Sequence, residues 1–398
     1  MPGCSRYSGE LTEESLRSGD KSLELEEIRQ DGPLPVTEAD ATLPTSQVPS
    51  DVANWDAERL SPGWELVAIL CVCALAGVVG THIRILLEDA FNYEGLHIMR
   101  KWDCLFQDLP ANMIGCFFMG IVGVTCKAQI AKYSELIALG LTTGLMGSIT
   151  TYASFNQDMA QLFVAGRWEK ALFGIILGLE LPFVSLLVGI NAGQSLVWFW
   201  SCFQKRRRVA IRITPDNLKR RKAVAWTAAV LWLGFLLPLN IVIAAFKWGD
   251  VGKHIQAIAA CISPLGVWLR WYLSRYNGGF MKGSPYAWIP WGTLAANVLA
   301  SMCLTLDKMG DVQITSHVWS VWLMALGKGV MGGLSTVSTF MVEILKLAEG
   351  GSSGKAYAYI AVSLILTQIC AFILYGIPVW VEQFPRAFPG HESHNDVP

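Results

Sequence analysis

The chain has 398 residues, 53% of them hydrophobic and only 16% charged, with a formal net charge of −1 and a mean hydropathy of +0.39. Soluble domains carry about 25% charged residues, so an ordinary water-soluble globule is excluded. Nothing alternates apolar with polar over ten-residue stretches, which argues against an outer-membrane barrel.

The first 62 residues read as a disordered acidic tail. Residues 1–60 hold 13 Asp/Glu against 5 Lys/Arg, with many Ser, Thr and Pro. Such a composition cannot offset the ordering entropy of a packed core. No apolar run begins before Trp64, so the tail is not a signal peptide. Nine apolar segments follow, at about 64–87, 108–126, 133–164, 169–200, 223–246, 254–274, 287–306, 318–346 and 356–382, each long enough to cross a bilayer as a helix. The first four make one unit over 63–202. A basic stretch over 203–222 follows, with nine basic residues and one acidic between Lys205 and Lys222. Short basic loops stay in the cytoplasm, which places the N-terminus, four crossings away, there too. Between two membrane spans this topological reading outweighs nucleic-acid binding, and the same charges suit anionic lipid headgroups.

The fifth segment, within 223–248, is a single linking crossing. It turns the second four-helix unit, 249–382, upside down relative to the first and leaves the C-terminal tail, 383–398, outside. The expected fold is all-α and polytopic: two inverted-topology four-helix repeats joined by one transmembrane helix. The ten cysteines sit mainly in apolar segments with no CxxC pair and read as hydrophobic filler. His391 and His394 lie in the polar tail and are assigned no role.

The two units carry the same pattern. The first holds Gly80 and Arg84, then Asn112, then Gly144, Gly147, Ser148, Thr150, Tyr152 and Phe155. The second holds Gly266 and Arg270, then Asn297, then Gly329, Gly332, Gly333, Ser335, Val337 and Phe340. Asn112 to Asn297, Gly147 to Gly332 and Phe155 to Phe340 are all offset by 185 positions, and only the pairs of the first helix, Gly80 to Gly266 and Arg84 to Arg270, slip by one. A constant offset over so long a stretch means two copies of one module.

In the third helix of each copy, glycine and small hydroxyl residues fall mid-membrane, at GLMGSITTYASF and GVMGGLSTVSTF. Glycine weakens a helix by about 1 kcal/mol relative to alanine. A break there is tolerated only where it is buried or lines a wet site. Two facing breaks would present carbonyl oxygens, which suit a hard cation; close packing through small residues is the other reading. Asn112 and Asn297 either bridge helices or offer N–H donors to an anion. Tyr359, Ser363 and Thr367 are spaced by four and stack hydroxyls on one face of the ninth helix. The matching face of the fourth helix, Leu177, Leu181 and Ser185, is nearly dry. Tyr152, Phe155 and Phe340 have ring edges that can solvate an anion, or simply pack. Asp158 and Glu343, one turn beyond the motif phenylalanines, are placed at an aqueous mouth, since a carboxylate mid-membrane is costly. Arg84 and Arg270 end the first helix of each copy, where a cation snorkels or binds carbonyls at a helix end.

With these stretches in view, GVVGTHIR and SPLGVWLR, LPANMIG and WGTLAANVLAS, GLMGSITTYASFNQD and GVMGGLSTVSTFMVE, the chain resembles the fluoride channel family (CrcB-like; Fluc in bacteria, FEX in eukaryotes). Bacterial members are small four-helix chains that pair antiparallel, and eukaryotic members fuse two units through one linking helix. The resemblance implies a passive, fluoride-selective channel of the plasma membrane that works as an internal pseudo-dimer in one chain. It implies a central structural sodium ion, Na+, bound by the backbone carbonyls of Gly147, Thr150, Gly332 and Ser335. It implies Asn112 and Asn297 as pore asparagines, Tyr152, Phe155, Phe340 and the position of Val337 as the aromatic set, and Tyr359, Ser363 and Thr367 as the hydroxyl track. Val337 and the dry fourth helix depart from the pattern, so one pore of two is expected to work, built from Asn297, Phe340 and the ninth helix with Tyr152 as the contributed aromatic. No nucleotide-binding loop, GxSxG or HExxH occurs, and no enzyme activity is expected. The alternative is an inverted-repeat secondary transporter, which needs a coupling carboxylate; only Glu180 is firmly mid-helix, and it has no counterpart in the second copy.

Overall fold

The first apolar segment becomes one uninterrupted helix, α1 (Pro62–Phe91), opened by a proline whose missing N–H falls where no helical partner exists. The computed structural model describes residues 60–92, 95–96, 98–99, 103–207, 216–246, 249–313 and 316–382. The expected acidic tail, the centre of the basic stretch, the C-terminal tail and His391 and His394 lie outside the described residues.

After α1 the order is α2 (Leu109–Met119), α3 (Glu135–Val164), α4 (Trp168–Arg207), α5 (Leu218–Phe246), α6 (Val251–Ser274), α7 (Trp291–Gln313), α8 (His317–Glu349) and α9 (Ser353–Val381). No strand occurs among the described residues; Asn92 and Met99 form one isolated bridge. Six of these helices are long and apolar enough to cross a membrane, and a seventh is counted if α2 and its bent continuation Lys127–Tyr133, at 65°, make one span. The other two, α6 and α7, have 24 and 23 residues, or about 35 Å at 1.5 Å per residue, enough for a hydrocarbon core. They carry more polar residues because they face the interior of the bundle, where those groups find partners. Both ends of the stretch read as a loop over 203–222 are helical. α4 runs on to Arg207, and α5 starts at Leu218, capped by the Asn217 side chain, which accepts from Arg220 N at 3.0 Å. Lys and Arg are good helix formers, so the charged ends continue the helices into the headgroup region.

The linker α5 is a tether more than a wall: only 6% of its apolar window is buried. Its start is fixed to the first repeat by Arg221, whose guanidinium pairs with Glu135 at 3.0 Å, Asp216 at 2.8 Å and Glu65 of α1. Arg220 stacks over the Tyr133 ring at 4.0 Å beside it. One crossing lies between the two repeats, so the second enters the bilayer with the opposite sense.

The breaks in α3 and α8 fall at equivalent places. Helical backbone stops at Thr150 (φ −93°, ψ 146°) and at Ser335 (φ −80°, ψ 159°), and resumes at Ala153 and Ser338. Each pair is 185 positions apart. Close approach of the first helix of each repeat to the broken one requires glycine. A Cβ on Gly80 would meet Leu145 O at 2.7 Å, and one on Gly266 would meet Val330 O at 2.0 Å. The contacts between repeats are exchanged: the second half of α3 packs on α7, and the second half of α8 packs on α2. Reciprocal contact between equivalent surfaces is the mark of a two-fold interface.

Candidate functional site

At the centre of the bundle each broken helix is repaired by side chains. Asn112 Oδ1 accepts from Thr151 N at 2.8 Å and its Nδ2 donates to Thr151 O at 3.1 Å. Asn297 does the same for Thr336, at 2.8 and 3.2 Å. The free N–H and C=O of the break are thus paired, as a dry membrane interior demands. Each amide spends one N–H on this clamp and has a second to offer.

The new helix starts are capped by the opposite repeat. Ser335 Oγ accepts from Tyr152 N and Ala153 N, each at 3.2 Å, and Thr150 Oγ1 accepts from Ser338 N at 3.1 Å. These are N-caps delivered across the pseudo-two-fold. Nothing in the order of residues announces them, because a cap is normally sought immediately before its own helix.

The arginines do the complementary work at the helix ends that stop. Both are buried, at 2% and 4% exposure, and neither reaches the interface. Arg84 donates to Ser148 O at 3.2 Å and to Lys328 O in the other repeat. Arg270 donates to Gly147 O at 2.6 Å, Ser335 O at 3.1 Å, Thr143 O and Ser148 Oγ. Thr143 and Lys328 are equivalent positions, so the guanidinium groups are swapped as the caps are. The C-terminal end of a helix carries unpaired carbonyls and partial negative charge, which makes it a natural seat for a cation.

This bears on the four carbonyls expected to hold sodium. They fit an alkali cation in kind, being neutral oxygens at two facing helix ends. In number the set is half used, because Gly147 and Ser335 both accept from Arg270.

Past this centre an aromatic line crosses from one side of the bundle to the other. Phe106 and Phe155 are 5.1 Å apart, Phe155 and Tyr152 5.8 Å, Tyr152 and Phe340 5.6 Å, and Phe340 and Tyr359 5.0 Å. The three contacts from Phe155 to Tyr359 are edge-on. Tyr152 crosses to the second repeat: its hydroxyl shares a 3.2 Å hydrogen bond with Thr367 Oγ1 of α9. Toward the start of α9, Tyr359 donates to Glu343 Oε2 at 2.8 Å, and Thr293 Oγ1 and Asn277 Nδ2 reach Glu343 Oε1 at 2.5 and 3.0 Å. Ser363, between Tyr359 and Thr367, is buried and its hydroxyl has no protein partner.

The opposite side is dry. Phe155 lies against Gly178 of α4 and Phe106, away from α9. Ser185 turns its hydroxyl to Leu181 O of its own helix at 2.7 Å, beside an apolar groove lined by Met113, Phe117, Leu181 and Val188. The structure therefore brings Tyr152, Phe340, Tyr359, Ser363 and Thr367 together and leaves Phe155 outside that group. Asn297 belongs with them, since α7 packs on α9, whereas Asn112 lies on α2 against α4. Glu343 is in the cluster; Asp158 is half-buried. Glu180 is exposed on α4, facing away from the interior.

Sequence reading missed a second polar row. Thr293, Asn297, Ser301 and Thr305 recur every four residues along α7, and all four are buried. The signal was present as plainly as on α9. Asn156 and Gln368 were missed too; Gln368 Nε2 donates to Asn156 O and Oδ1, each at 3.1 Å.

A family model described as "CrcB-like protein, Camphor Resistance (CrcB)" matches twice, over residues 71–190 and 257–377. The chain belongs to the CrcB family. This CrcB-family chain is 41% identical over 115 residues to "Fluoride-specific ion channel FluC" of Bordetella avium, covering 29% of this chain and 83% of that protein. It is 35% identical over 125 residues to the FluC of Thermus thermophilus, covering 31% of this chain and 94% of that protein. It is 25% identical over 294 residues to "Fluoride export protein 1" of Candida albicans, covering 68% of this chain and 71% of that protein. No solved structure matches. Two family matches in one chain account for the swapped caps and arginines: this CrcB-family protein carries both partners of its own pseudo-dimer.

An ion pair joins the first helix to the broken helix of the other repeat: Lys328 Nζ donates to both Glu88 oxygens at 2.6 Å.

Proposed function

We infer that this multi-pass membrane protein is a passive fluoride channel with one working conduit, between α7, α8, α9 and the second half of α3. The single observation that carries the reading is the Tyr152–Thr367 contact across the pseudo-two-fold, at 3.2 Å, in a column of neutral donors. Fluoride is small and strongly hydrated, so a path for it must replace water with donors that hold loosely enough to let go. Amide N–H, hydroxyl and ring edges meet that demand. Both guanidinium groups are spent on carbonyls at the centre, so neither offers a fixed charge that would trap the ion. The family match and the printed names of the FluC and fluoride export relatives support fluoride as the ion.

The basic residues at the adjoining ends of α4 and α5 favour a cytoplasmic N-terminus, and the fused architecture favours export across the plasma membrane. For the centre, the reading keeps a structural sodium ion as a proposal. Thr150 and Gly332 would hold it, with Gly147 and Ser335 shared with Arg270. A sodium-dependent rise in melting temperature supports it, and none at any sodium concentration dismisses it. No observation favours the transporter reading, which would want Glu180 inside.

The test is fluoride efflux from liposomes holding the purified chain, with chloride as the control ion. Thr367→Val is expected to slow fluoride by roughly 10-fold or more, since a hydrogen bond to an ion is worth about 1.5–3 kcal/mol. Ser185→Ala is expected to change nothing, because that hydroxyl bonds its own helix. The reverse result would put the conduit on the dry side, and equal passage of chloride would end the fluoride reading.

A further inference from the structure

The row on α7 and the track on α9 run side by side in fixed register. Thr293 and Tyr359 meet at Glu343, at 2.5 and 2.8 Å. Sixteen residues further along each helix, Met309 and Tyr375 share one buried apolar cluster with Val164 and Val379. Between these rungs the register sets Asn297 level with Ser363, and Ser301 level with Thr367. Each step of four residues climbs about 6 Å. The conduit therefore continues beyond Tyr152 and Thr367 toward the Met309–Tyr375 end.

That continuation holds unspent donors. Among the described residues, Ser301 Oγ and Gln157 Nε2 are buried side-chain atoms with no partner, and their residues are 1% and 2% exposed. Hydroxyls in membrane helices commonly bond the carbonyl one turn back. Thr305 and Thr367 do so, to Ser301 O and Ser363 O at 2.7 and 2.8 Å. Ser301 does not. The single Thr305 hydroxyl hydrogen is shared between Ser301 O and Gln157 Oε1, the latter at 2.8 Å, with the Gln157 NH2 turned away from Thr305. Burying a donor without an acceptor carries its whole desolvation penalty. Two in one place ask for a ligand that accepts hydrogen bonds. At the offset of 185, the positions equivalent to Gln157, Ser301 and Thr305 are Val342, Cys116 and Gly120. The donors occur on the conduit side alone.

We propose that Ser301 and Gln157 form a second anion-coordinating station in the conduit, past the Tyr152–Thr367 pair, with Thr305 as the residue that positions Gln157. It rests on the fluoride-conduit reading and adds to it a site for a small hydrogen-bond-accepting anion. Two stations in series let an arriving ion help the one ahead to leave.

The test compares wild type, Ser301→Ala, Gln157→Leu, Thr305→Val and Cys116→Ala for fluoride efflux from liposomes, with melting temperature in sodium fluoride against sodium chloride as the second readout. Ser301→Ala and Gln157→Leu are each expected to lower efflux by about 10-fold or more and to shrink the fluoride-specific thermal shift. Thr305→Val is expected to do so less, and Cys116→Ala to match wild type. Ser301→Cys, which nearly keeps the volume but weakens the donor, reads the same effect if Ser301→Ala is unstable. Full efflux in the Ser301 and Gln157 variants, with wild type and Cys116→Ala conducting, overturns the station and spares the conduit. A wild type that passes no fluoride overturns both.

Discussion

Replacing Arg270 by leucine is expected to cost the protein its fold. The guanidinium serves Gly147 O, Ser335 O, Thr143 O and Ser148 Oγ, all in the buried centre. A buried acceptor left without a donor costs about 1–3 kcal/mol. Four of them outweigh the relief of no longer burying a cation, and the net loss of several kcal/mol is a large part of the roughly 5–15 kcal/mol that holds a typical protein folded. The predicted outcome is loss of the monodisperse peak in size-exclusion chromatography, or a melting temperature lower by 10 °C or more where protein survives, since 1 kcal/mol moves a domain of 150–250 residues by about 2–4 °C. Arg270→Lys is expected to fall between, because an ammonium is a point charge and cannot fork to several carbonyls. A leucine variant as stable as wild type would mean that these carbonyls are satisfied some other way, with sodium the first alternative.

The second large effect separates the two asparagines. Asn112 and Asn297 make the same pair of hydrogen bonds to Thr151 and Thr336. Leucine at either position removes two bonds worth about 1 kcal/mol each and strands a peptide, so the loss of stability is expected to be similar in both. Conduction is expected to differ. Asn297 lies on α7 beside α9, where its second N–H belongs to the hydroxyl column, and Asn112 lies on α2 against the dry face of α4. Asn297→Leu is therefore expected to reduce fluoride efflux by roughly 10–100-fold per folded molecule, the equivalent of losing one hydrogen bond to an ion. Asn112→Leu is expected to retain most of it. Equal loss in both would mean that two conduits carry current, and loss in Asn112→Leu alone would put the conduit on the other side.

The expectation of a single working side came from two residues, Val337 in place of an aromatic and Ser185 as the one hydroxyl on the matching face of the fourth helix, Leu177, Leu181 and Ser185. The structure shows a wider asymmetry. Ser301, Thr305 and Gln157 add donors on the same side, and Phe155 is drawn to Gly178 on the other. The row on α7 was legible by the same four-residue spacing that exposed the track on α9. It was passed over because Asn297 already had a role by symmetry with Asn112, and its neighbours Ser301 and Thr305 have no polar counterpart in the first copy.

Order along the chain was enough to determine the repeat, the place of both breaks and the odd crossing between them, because each is a local matter of glycine, hydropathy or a count of spans. Which groups remain free was decided only by the packed structure. Thr150 caps Ser338, Ser335 caps Ala153, and Arg84 and Arg270 exchange helix ends over separations of 120 residues or more. A side chain's hydrogen bonds go to whatever lies within about 3 Å, and in a two-fold assembly that neighbour comes from the other half.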